Sequence, residues 1–90
     1  MSAKGEIGWK RRDEDGNRVK ICAEPSGDKW HFYLQYRRYE NWEEIVDPPL
    51  EDWLNLLDAV RRRIARKKIP EGADKKLIRT IKSFYPDADV

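Results

Sequence analysis

The chain's one cysteine, Cys22, and its one histidine, His31, are the residues best suited to chemistry. A thiol beside an imidazole can give up its proton to the ring and act as a thiolate nucleophile. The second chemically distinctive feature is positive charge. Residues 61–82 hold ten Lys or Arg against two acids, while the remaining residues hold nine against fifteen. The chain total of +2 conceals this split. Concentrated positive charge attracts an acidic partner, of which nucleic acid is the usual case. The same pattern also describes the wet side of an ordinary helix, with cations complementing the negative C-terminal end of its dipole.

These residues are positioned by three runs of period-two alternation. Ile7, Trp9 and Arg11 alternate with Gly8, Lys10 and Arg12; Val19, Ile21 and Ala23 alternate with Arg18, Lys20 and Cys22; Trp30, Phe32, Leu34 and Tyr36 alternate with His31, Tyr33, Gln35 and Arg37. Such alternation marks strands with one buried and one wet face. A three-residue turn at Glu14-Asp15-Gly16, with Gly16 left-handed, sets Trp9 opposite Ile21 and keeps the apolar residues on one face. A turn at Pro25-Ser26-Gly27-Asp28 sets Phe32 opposite Ile21, Leu34 opposite Val19 and His31 opposite Cys22. The Cys22 and His31 Cβ atoms would then lie about 5 Å apart. No third group orients the pair and a flat sheet offers no pocket, so it is expected to be catalytically silent.

Residues 40–48 read as a connecting segment in which Trp42 has no assigned face. Asp47-Pro48-Pro49, followed by Glu51 and Asp52, is a helix start with Asp as cap and Pro in the first turn. Helix 1 is expected over 49–69, with Leu50, Trp53, Leu54, Leu57, Val60 and Ile64 as its apolar stripe; Leu56 and Ile69 fall outside that pattern. Arg61 lies within the stripe and needs a partner or a rim to escape over. Pro70-Glu71-Gly72 interrupts, and helix 2 is expected over 73–85 with Leu77, Ile78, Ile81 and Phe84 on one side. The fold class is therefore α+β: one domain, residues 1–90, with a three-stranded antiparallel meander over 5–39 packed against two C-terminal helices in a two-layer βββαα arrangement. Trp9, Trp30 and Trp53 are expected in its core.

Two surfaces follow. Arg62, Arg66, Lys75, Arg79 and Lys82 project from the helices, and Lys10, Arg12, Lys20, Tyr33 and Arg37 share the wet sheet face, where cations and aromatics together suit phosphates and bases. Any affinity for nucleic acid is expected to be electrostatic and to reside in the helical pair. Trp42 is the candidate protein contact. The chain has no P-loop, dinucleotide-binding glycines, EF-hand spacing or metalloprotease motif, so no cofactor, metal or small-molecule ligand is expected. With a single cysteine, no apolar leader and no membrane-length run, the expected setting is cytoplasmic. The functional expectation is a non-enzymatic binding module, foremost for a protein partner or a second copy of itself, with nucleic-acid binding as the alternative.

Overall fold

The structure, a computed structural model, describes residues 6–27 and 29–90; Gly5, the expected start of the sheet, and Asp28 of the second turn lie outside them. The chain is α+β, with an antiparallel sheet followed by two C-terminal helices. It divides into two compact units, Met1–Pro48 and Pro49–Val90.

The sheet unit has four strands, β1 (Ile7–Arg12), β2 (Arg18–Ser26), β3 (Lys29–Gln35) and β4 (Glu43–Ile45), in the order β1-β2-β3-β4. The first hairpin has the expected register, Trp9 opposite Ile21. Gly16 takes φ +84°, and the Asp13 carboxylate closes the turn by accepting the N–H groups of Asp15 (2.9 Å) and Asn17 (2.8 Å). Burial works against ionisation of Asp13, but these hydrogen bonds and the nearby Arg11 charge hold its pKa below the ordinary carboxylate value.

The second hairpin differs from expectation. Its strands run on to Ser26 and Lys29, with only residues 27–28 between them, and Gly27 takes the left-handed φ of +61° that tight hairpin turns require. The register therefore slides by two residues: Ile21 faces Leu34, Cys22 faces Tyr33, and Glu24 faces His31. An even slide preserves which residues share a face but exchanges every partner. Sequence alternation cannot distinguish registers that differ by two.

One face carries the row Ile7–Ala23–Phe32–Ile45 across all four strands, with Trp9, Ile21 and Leu34 beside it. Ile7, Ile21, Ala23 and Phe32 are buried, and Trp9 packs edge-on against Phe32 with centroids 6.1 Å apart. Trp9 and Trp30 are only partly buried. The opposite face carries Gly8–Cys22–Tyr33–Glu44, then Lys10–Lys20–Gln35 and Arg12–Arg18. The short β4 lies within the expected connector; three residues, Glu43-Glu44-Ile45, are too few to show an alternation of their own.

In the helical unit, α1 spans Leu50–Ala65 and α2 spans Ala73–Phe84. Pro49, extended at ψ 158°, stands at the N-cap, and no side chain caps the helix. Asp47 therefore is not the cap. A residue before proline is pushed out of the helical region, so Pro48 and Pro49 hold Asp47 and Pro48 extended and delay the start. The first helical N–H groups, from Asp52 (3.0 Å) and Trp53 (3.4 Å), donate to the Pro49 carbonyl.

The buried face of α1 is also rotated from the expected stripe. Leu56 is fully buried with Trp53, Leu57, Ala59 and Val60, whereas Leu54 is exposed. Asp52 is fully buried in the first turn, where the positive end of the helix dipole favours a carboxylate. Trp53 stacks on Phe84 of α2 at 5.6 Å, and Arg61 reaches Asp74 at 3.8 Å, which supplies the partner its position demanded.

Helix α1 ends four residues before the expected Ile69. Lys67 turns left-handed at φ +61°; its N–H donates to the Ile64 carbonyl and that of Lys68 to the Arg63 carbonyl. This is a Schellman end with lysine where glycine is usual. Lys67→Gly is accordingly expected to stabilise the protein by about 1 kcal/mol, measured by urea unfolding, because a Cβ disfavours that conformation. An unchanged or lower midpoint would show that the turn carries no strain.

Candidate functional site

The alternation of β1 and β2 places Lys10, Arg12, Arg18 and Lys20 on one face, and the register sets them directly opposite in like-charged pairs, Lys10 with Lys20 and Arg12 with Arg18. Like charges in directly opposed positions destabilise a sheet. Beside them, β3 leaves the sheet after Gln35 into a turn tied by Gln35 Nε2 donating to the Glu40 carbonyl (2.7 Å) and the Glu40 N–H donating to the Arg37 carbonyl (3.1 Å). The turn brings Tyr36, Arg37 and Arg38 to the same end of the sheet.

Together these residues wall a concavity of about 470 Å³, lined by Lys10, Arg11, Arg12, Arg18, Val19, Lys20, Gln35, Tyr36, Arg37 and Arg38. Seven of its ten lining residues are cations and none is an acid. Arg12 Nη1 donates to the Gly16 carbonyl at 2.8 Å, which steadies its side chain. Among the described residues, Lys10, Arg18, Lys20 and Arg37 form no ion pair. A groove of this composition can hold several phosphates, using the planar donors of arginine and the point charges of lysine.

Of the expected sheet contacts, Lys10, Arg12, Lys20 and Arg37 are brought together here. Tyr33 is not. It stands opposite Glu44, and burial first, then the negative field of Glu44 and Glu24, pushes its phenol pKa upward. The alternation places Arg11 and Tyr36 with the inward-facing residues and gives Arg38 no face, whereas all three line this groove and Tyr36 is exposed. The Arg37-Arg38 doublet was a visible signal, but alternation alone does not show where a strand ends and its turn begins.

The other end of the same face is acidic. Glu6, Cys22, Glu24, Tyr33 and Trp42 line a concavity of about 200 Å³, and the ligand atoms of Glu6, Cys22 and Glu24 lie within 4.8 Å of one another. His31 is not beside Cys22: its Nδ1 lies 3.2 Å from Glu44 Oε2. The expected thiol–imidazole pair is therefore absent, because the slide of the hairpin gives Cys22 to Tyr33 and His31 to Glu24. Burial first, then the hydrogen bond to Glu6 and the charges of Glu6 and Glu24, push the Cys22 pKa up to about 12. A raised pKa disfavours the thiolate, so Cys22 is expected to resist iodoacetamide at pH 8 in the native protein and to react once unfolded in urea, as mass spectrometry would report. Rapid native labelling would contradict its burial.

The helical candidates are dispersed by comparison. The Arg62 guanidinium is bound to Asp58 at 2.9 Å, one helical turn away. Arg66 is exposed at the end of α1, and Lys75, Arg79 and Lys82 are exposed along α2. The concavity of about 420 Å³ at the α1–α2 connection includes Lys67 and Lys68 but also Glu71. Trp42 is 39% exposed beside β4, and Val46 is exposed just beyond it. Among the described residues no helix is long and apolar enough to cross a membrane.

Comparison with family models, curated proteins and solved structures gives no match. The functional reading therefore rests on the groove itself.

Proposed function

We propose that the chain is a non-enzymatic nucleic-acid-binding module whose contact surface is the basic groove at the end of the sheet. The observation that carries this reading is the collection of seven cations without a carboxylate around one concavity, including two directly opposed like-charge pairs. Opposed cations cost folding stability, and a phosphodiester backbone bridging them would relieve the repulsion. The groove is favoured over the helices because Arg62 is already neutralised by Asp58 and the concavity at the helix connection contains Glu71. The acidic half of the face, around Glu6, Glu24 and Glu44, would repel a polyanion and so confine it to the basic end.

The test is fluorescence anisotropy with labelled DNA and RNA oligonucleotides over a range of salt. Four phosphate contacts would give a log–log slope of roughly −3 to −4. A lack of binding at low salt would refute the reading. The exposure of Trp42 and Val46 along the edge strand β4 supports a second reading, a protein partner or a second copy docking at that edge. For self-association the check is light scattering on dilution, where a monomer at every concentration would exclude it.

A further inference from the structure

We infer that the ligand of the groove is single-stranded rather than paired nucleic acid, held by stacking of unpaired bases on Tyr39 and Tyr36; this rests on the nucleic-acid reading of the groove. Tyr36 lines the groove and is 46% exposed, and Tyr39, just beyond it, is 90% exposed. Both rings leave much of their surface open, although aromatic rings are the side chains a small core most needs.

Tyr39 is also held at φ +77°, a conformation that a bulky residue rarely adopts and that clusters at binding and active sites. Its surroundings fix it there. The Gln35 and Glu40 hydrogen bonds close the turn on either side, and the Arg38 guanidinium lies over the ring, 5.4 Å from its centroid. Arg38 itself lines the groove, so the ring is anchored at the groove's margin. A backbone bound to Arg37, Lys20 and Arg18 would leave its bases free to stack on these two rings. The bases of a duplex are already stacked on one another and expose their faces only at the ends, so a duplex could use the cations but not the tyrosines.

The test compares oligo(dT), oligo(U) and a duplex of equal length at one salt concentration, with Tyr39→Ala, Tyr39→Phe and Tyr39→Gly. Single strands of either sugar should bind more tightly than the duplex. Tyr39→Ala should weaken single-strand binding about tenfold, with Tyr39→Phe close to the parent and duplex binding unchanged. Tyr39→Gly separates recognition from folding. Glycine accepts the left-handed backbone, so its melting temperature should rise while single-strand affinity falls as in Tyr39→Ala. Equal affinity for single strands and duplex, with neither affected by Tyr39→Ala, would overturn the inference and leave the groove reading standing. No binding to any of the three would overturn both.

Discussion

The variant Arg18→Ala/Lys20→Ala/Arg37→Ala should lose on the order of a hundredfold in nucleic-acid affinity at low salt, while its folded state becomes no less stable. The binding loss follows from removing three of the groove's seven cations. For a single strand, three lost phosphate contacts would also reduce the salt slope by about two. The stability expectation has the opposite sign, and that makes the experiment decisive. Arg18 stands opposite Arg12 and Lys20 opposite Lys10, so two of the three removals each relieve a like-charge pair in the sheet. Ordinary surface substitutions change stability by less than about 0.5 kcal/mol, and here the change should be toward greater stability. A rise in melting temperature with a fall in affinity is the signature of a surface retained for binding at the expense of folding. The matched control, Arg62→Ala/Arg79→Ala in the helices, should leave affinity nearly unchanged. If the helical variant lost binding and the sheet variant did not, the contact surface would be the helical one.

Leu56→Ala should destabilise the protein by about 2–5 kcal/mol, whereas Leu54→Ala should cost less than about 1 kcal/mol. Leu56 is fully buried, so truncation both removes apolar contact and leaves a cavity; Leu54, 39% exposed, has much less to lose. In a chain of 90 residues each kcal/mol corresponds to roughly 4–8 °C in melting temperature, so the two variants should separate by a margin that a thermal melt resolves easily. Similar losses at both positions would mean that the buried face of α1 lies where the apolar spacing placed it, not where the structure does.

That rotation illustrates what was legible in the sequence. Leucines at positions 54, 56 and 57 leave two faces of α1 nearly equal in apolar content, and packing decides between them. The end of α1 was hidden for a similar reason. Lys67 is the left-handed residue, and a glycine there would have announced the stop that a lysine concealed. The start of α1 was read correctly to within one residue because two consecutive prolines constrain the backbone by themselves.

The sequence alone determined the α+β order, the three main strands, the two faces of the sheet and the first turn. Each depends on properties local to the chain: alternation, proline, and a glycine at the position that requires positive φ. Tertiary structure decided the partners. A slide of two residues in the β2–β3 hairpin leaves the hydrophobic pattern intact, yet it separates Cys22 from His31 and sets Tyr33 beside acids. The same closure, with the turn after Gln35, gathers cations from two strands and a turn into one groove. Pairing across strands is set by which turn closes the hairpin, and registers that differ by two bury the same face. The sequence therefore established which residues are wet, and only the fold established which of them meet.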